Sequence, residues 1–478
     1  MFEKLMQAFG MAKSEDPILQ KDAIAEMLKV NPAALDAFEA AYAKHAMSSE
    51  PEGFFQQNSR HAARDMHAID IETINTPVED ISELVNRIVQ ELLAQTETYV
   101  FDGRLARTEK HMALPARTEM VDNKDINHLP APIRPQLSGN LMKVDIAAPT
   151  APHLLWFYDR FKNHPNPKVR QDAYHHFRQG LDILDLDALT YEIIGTNPNS
   201  MGHWLPKLVD SCMGQEFFKI PATTVAKVPL TMLQLTRQEY AELTETTLKI
   251  VDEWAHEAFK LDDQKEYFIK TGTYSSKFDF RNAHVHGAKE VRELGEYLLF
   301  IHYQALQMAS PLCTPTIYGV STTNEWVVRE FIADKENNPC IYKGLPLHTE
   351  YRVFVDCDTD SIIGITPYWE PNTMKNRFAH GSDANSPHQI HDYVIYKAHE
   401  DKLMGRYHEN KDRVLENIKN ILPNLNLRGQ WSIDIMQNGD DFWIIDMAMA
   451  ETSAFYECVP QHLRMPSPEN WIPQLPEA

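Results

Sequence analysis

The chain reads as an α+β protein, on three observations. Helical patterning dominates its first half. The second half is crowded with short apolar runs of strand length, several ending in charged residues, and no internal repeat or long low-complexity tract breaks the pattern.

Composition bounds the rest. A chain of 478 residues has room for about three domains at roughly 150 residues each. Its 43% hydrophobic and 10% aromatic content is ordinary for a globular protein. Against 46 Lys and Arg stand 68 Asp and Glu, a formal net charge of -22 that repels phosphate backbones, so nucleic acid is not expected as the main partner. Five scattered cysteines, Cys212, Cys313, Cys340, Cys357 and Cys458, form no C-x-x-C pair; neither a disulfide framework nor a zinc knuckle is expected, and a reducing cytoplasm fits. Nowhere do about 18 apolar residues run consecutively, and Met1 to Lys13 lacks an apolar signal region, so a soluble, unprocessed protein without a membrane partner is expected.

Taken in order, residues 1–130 read as an accessory helical region. Asn31 is a good N-cap with Pro32 at N1, and Leu35 and Phe38 follow ahead of an Ala-rich stretch. Breakers at 48–53 and Pro-rich 129–132 flank it. Residues 131–260 read as helix-rich with short strands, including the extended run 220–229. Thr236-Arg237-Gln238-Glu239 has the form of a capping box, with Tyr240, Leu243, Val251 and Trp254 at near-helical spacing behind it. That helix is expected to pack rather than to act.

From residue 265 the texture changes. Tyr267-Phe268-Ile269-Lys270 is a strand-like run ending in a lysine, and a loop from Thr271 leads to Lys277. A helix with Val291, Leu294, Leu298, Ile301, Ala305 and Met308 on one face comes next. Strand-like runs follow at 326–332, 350–355 and 361–366. In the second, alternation puts Glu350, Arg352 and Phe354 on one face and Tyr351, Val353 and Val355 on the other. Lysines, arginines and acids gathered on strand ends are the parts that hold a polyphosphate and its magnesium.

Two acids near the carboxyl end are the most telling. Asp434 and Asp446 sit in apolar runs where an unpaired carboxylate costs several kcal/mol, so each needs a cation to face. The turn chemistry of residues 437–441 makes the two runs arms of a hairpin. A turn centred on Asp440 would oppose the aspartates on one face, where they could grip a divalent metal. A tight Asn438-Gly439 turn would put them on opposite faces.

In order and spacing, Phe268-Ile269-Lys270, Lys277, Val328-Arg329-Glu330-Phe331-Ile332, Glu350-Tyr351-Arg352-Val353-Phe354-Val355, Asp434 and Ile444-Ile445-Asp446 resemble the ATP-grasp family. The resemblance is nearest to the divergent clade that includes the assembly chaperone of translation initiation factor 2 and its bacterial and phage relatives. It spans roughly residues 200–455. It implies a two-lobe ATP-grasp fold behind a mainly helical extension, with an N-lobe over 261–318, a C-lobe over 319–460 and a tail over 461–478. It also implies ATP and magnesium as cofactors and a protein or peptide as substrate or partner. Lys270, Lys277 and Arg352 would be catalytic; the same three with Arg329, Glu330, Phe331 and Glu350 would bind the nucleotide, Glu330 and Phe331 at the adenine hinge. Asp434, Asp446 and Glu451 would hold the metal. The family's pattern has Asn two residues after the second acid, whereas this chain has Ala448. The activity implied is ADP-forming carboxylate-amine ligation through an acyl-phosphate, with non-catalytic ATP-dependent assembly, or a kinase on the same scaffold, as alternatives.

Other motifs are absent: no G-x-x-x-x-G-K-[ST] loop, no H-E-x-x-H helix, no G-x-S-x-G elbow. Asp356 to Asp360 starts like a calcium loop, but Ser361 and Pro367 occupy the positions that need glycine and glutamate, so a hairpin turn is expected. His284, His286, His175 and His176 lack a spaced third ligand and are expected to be ordinary loop or helix residues.

Overall fold

The computed structural model describes residues 17–49, 78–110, 154, 158–183, 186–237, 243–309, 319–379, 384 and 386–465. Its strands are β1 (Glu97–Phe101), β2 (Ala106–Lys110), β3 (Phe218–Lys219), β4 (Thr223–Lys227), β5 (Tyr267–Thr271), β6 (His284–Val285) and β7 (Glu325–Glu330). After them come β8 (Cys340–Ile341), β9 (Leu345–Pro346), β10 (Thr349–Asp356), β11 (Ser361–Pro367), β12 (Gln430–Asn438) and β13 (Asp441–Met449). Two sheets organise the molecule, one ordered β2-β1-β4-β7-β5-β6 and the other β11-β10-β12-β13-β3, with β8 and β9 as a small separate pair. The architecture is α+β, as the sequence predicts.

Period-two alternation decides what each face of the six-stranded sheet does. Ile269, Trp326 and Val328 join a core with helices α3 (Val78–Leu93), α4 (Glu245–Phe259) and α5 (Leu294–Ala309). Phe268, Lys270 and Arg329 therefore project from the other face, toward the second sheet, where they line a cleft. Helix α4 does not start at the expected capping box. Thr236 ends up in a 3-10 turn, Gln234–Arg237, while Gln238 and Glu239 lie outside the described residues. The cap is Thr244, whose side chain accepts the Thr247 N–H. From there Leu248, Val251, Trp254, Ala255 and Ala258 are buried at helical spacing, each large side chain contributing about 1.5–3 kcal/mol.

The reading of residues 1–130 as helices misses β1 and β2, which form a hairpin and attach to the six-stranded sheet through β4. Helices α1 (Pro17–Val30) and α2 (Leu35–Ser49) are present where helix was expected. They pack on α6 (Pro387–Ile421), a 35-residue helix begun by Ser386, which accepts the Gln389 N–H, and by Pro387. Along α6, Tyr393, Val394 and Tyr396 join the core shared with α1 and α2, while Tyr407, Val414 and Ile418 join the core beneath the five-stranded sheet. No described helix is long and apolar enough to cross a membrane.

The carboxyl-terminal hairpin takes neither of the two expected turns. Asn438 pairs with Asp441, so the turn is Gly439 and Asp440, with Gly439 in the left-handed region at φ 64°. That register alone would put Asp446 on the wrong face. It shifts by one residue after Asp434, however, making Ile445 the extra residue of a β-bulge and bringing Asp446 directly opposite Asp434. The Asp356 to Asp360 segment is the hairpin turn expected, tied by Asp356 Oδ1 accepting the N–H groups of Asp358 and Thr359.

Candidate functional site

The cleft between the two sheets gathers most of the residues singled out in the sequence. Lys270, Lys277, Arg329, Glu330, Phe331, Glu350, Asp434 and Asp446 all line it, around about 930 Å³ of space counted out to the mouth. Arg352 stands just behind the lining, bonded to Asp434. Glu451, in the 3-10 turn Ala450–Thr452, is not among the lining residues.

One wall supplies cations. Lys270, at the end of β5, is 2% exposed and its Nζ donates to Asp446 Oδ1 at 2.9 Å and Oδ2 at 3.1 Å. Burial lowers its pKa, with Asp446 opposing. Arg329, on β7, is 5% exposed; one guanidinium nitrogen donates to the Ile445 carbonyl, while Nε and the other terminal nitrogen are buried with no hydrogen-bond partner among the described residues. That carbonyl belongs to the bulge residue, which the ladder leaves out, so the bulge both phases Asp446 and gives Arg329 its anchor. Burial pulls the guanidinium down to about 10, against Asp446, so it stays charged near neutral pH.

The loop from Thr271 to Lys277 is a closed turn: the Thr271 N–H donates to the Tyr274 carbonyl at 2.8 Å, and the Tyr274 N–H to Thr271 Oγ1 at 2.9 Å. Lys277 follows at the head of the 3-10 turn Lys277–Asn282, donating to the Tyr368 hydroxyl. Burial disfavours its charge, but Tyr368 and Glu350 outweigh that and raise its pKa.

The other wall supplies acids. Glu350 is 9% exposed, and burial pushes its carboxyl up to about 7 against the pull of Lys277, leaving it close to half-protonated near neutral pH. Asp434 is held in a two-pronged pair, Arg352 Nε to Oδ1 at 2.8 Å and the terminal nitrogen to Oδ2 at 2.7 Å. The remaining Arg352 nitrogen donates to the Ala454 carbonyl at 3.1 Å, so this guanidinium is satisfied and its pKa raised, burial notwithstanding. The Asp446 side chain is 41% exposed into the cleft. Its confinement there favours the neutral acid, but Lys270 and Arg329 prevail and hold it below the usual carboxylate range.

Beside the charges lies an apolar slot of Phe268, Phe280, Ile332, Met436 and Ile445, residues the sequence reading did not assign to the site. Phe268 was readable, two residues before Lys270 on the same strand face. Met436 was readable in the same way, two residues after Asp434 on its strand; Ile445 was not, because the bulge brings it to the cleft. Tyr368 and Trp369 also line it. They follow β11 directly, and only the fold reveals that the chain turns them inward there.

The residues can be tested against a metal. Both oxygens of Asp434 are engaged by Arg352, both of Asp446 by Lys270, and among the described residues no group of three His, Cys, Asp or Glu is placed to hold an ion. A preformed all-protein magnesium cage is therefore not what these residues make. Magnesium carried by phosphates needs only one or two carboxylates, and Asp446, open to the cleft, is the better placed. Two of the histidines have ordinary partners, His284 pairing with Glu266 at 2.9 Å and stacking on Phe331 and His286 pairing with Glu290, while the His175 side chain lies outside the described residues.

No family model matches the chain, and no curated protein matches it. Among solved structures it is similar to C-terminally truncated Cdc123 from Schizosaccharomyces pombe, at 15% identity and a TM-score of 0.32, over 56% of this chain and 92% of that one. It is also similar to Cdc123 from the same organism, at 11% identity and a TM-score of 0.29, over 52% of this chain and 83% of that one.

Proposed function

We propose that the cleft binds ATP with magnesium, and that the bound nucleotide stabilises a shape that engages a protein partner. The observation that carries the nucleotide is Arg329: a charged guanidinium, nearly buried, with two nitrogens lacking a partner among the described residues. Leaving such a group unsatisfied costs on the order of 1–3 kcal/mol or more, a cost an anionic ligand relieves. Lys270 and Lys277 line the same space, and the apolar slot beside them suits a flat base. The motif order that resembles the ATP-grasp family supports the same ligand. In this reading Arg329, Lys270 and Lys277 face the phosphates, and Glu330, Phe331 and Ile332 border the base.

Binding without consumption is favoured over turnover by the acids. Asp434 is committed to Arg352, Asp446 faces Lys270, and Ala448 offers no ligand where the family has Asn. The second reading is the ADP-forming ligase, favoured by the three cations that would offset charge on a transferring phosphoryl. Calorimetric titration of ATP with magnesium tests the site: the natural chain should bind, and Arg329→Met and Lys270→Ala should bind at least about tenfold more weakly. Variants that bind like the parent would remove the reading. Partner capture that needs ATP but leaves it intact supports assembly; release of ADP and phosphate dependent on an acceptor supports ligation, and a stable product carrying labelled γ-phosphate supports a kinase.

A further inference from the structure

We infer that the amino-terminal helices α1 and α2 brace the turn that carries Lys277, so that their docking on α6 sets the readiness of the cleft. A continuous chain of contacts runs from one to the other. Both carboxylate oxygens of Glu39, on α2, lie 3.0 Å from His391 Nε2. His391 Nδ1 lies 2.9 Å from Asp392 Oδ1. The other Asp392 oxygen accepts the Tyr342 N–H at 3.1 Å, and the Tyr342 carbonyl accepts the Phe280 N–H at 2.9 Å. Phe280 lines the cleft three residues after Lys277, across a kink at Asp279 in the segment Lys277–Asn282.

The joint is built to be rigid. A histidine with carboxylates at both ring nitrogens donates from both, so it is held as the cation; burial works against this, but Asp392 and Glu39 prevail and push its pKa up to about 9. Phe38 and Tyr42, also on α2, stack on the ring with centroids 5.8 Å and 3.9 Å away. Ile24, Leu28 and Phe38 share one core with Tyr342 and with Trp369, which itself lines the cleft. Further ties run from Lys21 to the Ala384 carbonyl at 2.6 Å, from the Tyr393 hydroxyl to Asp22 at 2.6 Å and from Lys29 to Asp401 at 2.8 Å. Losing Glu39 would leave a buried imidazolium with one carboxylate, the one that also holds the Tyr342 N–H. Coupling of this kind is reciprocal, so a ligand that orders the turn must also tighten the helices. That last step, with ATP as the ligand, rests on the function proposed above.

Amide hydrogen exchange on the full-length chain tests it. Glu39→Gln and Phe38→Ala should each speed exchange at the Phe280 and Tyr342 amides by at least about fivefold, with the β12–β13 hairpin amides unchanged as the check on folding. Asp36→Ala, at an exposed acid on the same helix, should change nothing. ATP with magnesium should slow exchange across α1 and α2, and Glu39→Gln should weaken its binding by a similar factor. If the Phe280 amide exchanges at the parent rate in both variants, the brace does not exist. If the parent chain fails to bind ATP, the nucleotide reading falls while the exchange rates still decide the brace.

Discussion

The two walls of the cleft each present a buried arginine, and the pair differ in one respect. Arg352, on the five-stranded sheet, spends its fork on Asp434 and its remaining terminal nitrogen on the Ala454 carbonyl. Arg329, on the six-stranded sheet, bonds the Ile445 carbonyl and leaves two nitrogens without a partner among the described residues. A satisfied buried ion pair is part of the scaffold; a buried cation left partly unpaired costs stability until something pairs with it. The contrast extends to the acids, since Asp434 is closed off while Asp446 is open to the space that Arg329 and Lys270 share.

Four measurements would break or sharpen that contrast. The largest effect belongs to Arg352→Ala, which strands Asp434 and should cost roughly 3–5 kcal/mol in denaturant unfolding; a loss near zero would remove the scaffold role. Next is Glu350. Its folded pKa of about 7 lies above the ordinary 4.5, so the folded state holds the proton more tightly. The stabilisation is full below about pH 4.5 and is lost as pH rises through about 7, a fall of roughly 3 kcal/mol that Glu350→Gln should abolish. Unfolding profiles of the two chains that run parallel across this range would contradict the burial assigned to Glu350. Third, Arg329→Met should leave stability unchanged or raise it by about 1 kcal/mol, because an unsatisfied charge is exchanged for an apolar side chain, even as ligand binding falls. Destabilisation by more than about 2 kcal/mol would place Arg329 with Arg352 in the scaffold. A modest loss, about 0.5–1.5 kcal/mol, is expected for Tyr368→Phe, which takes from Lys277 its hydroxyl acceptor. Thermal unfolding would register it.

What the sequence disclosed, and what it withheld, follows from the range of the forces involved. Alternation is local, so Glu350 and Arg352 could be put on one strand face, and Lys270 at the end of its strand, from the order of residues alone. Turn chemistry is also local, and the Asp356 to Asp360 turn was readable from its composition. The start of α4 was misread because two threonine-led signals stand eight residues apart, and packing of Leu248, Val251 and Trp254 selects Thr244 over Thr236. The β1–β2 hairpin escaped notice because its partner, β4, lies more than a hundred residues further on. The pairing of Asp434 with Arg352 and of Asp446 with Lys270 needed the sheets themselves: the sequence required that each acid meet a cation but could not say which.

The extra residue at Ile445 carries one more implication. Because the slip occurs between the tip of the hairpin and the aspartates, the geometry of the tip and the aim of the acids are set separately. Gly439 and Asp440 could be exchanged for another two-residue connection without redirecting Asp446, whereas flattening the bulge with Ile445 kept in the ladder would rotate that carboxylate into the hydrocarbon on the far side of the sheet; excising Ile445 would leave Asp446 opposite Asp434 but strip Arg329 of its carbonyl contact. The bulge thus keeps Asp446 in phase with the cleft, and the turn at the tip can change its residues but not its length.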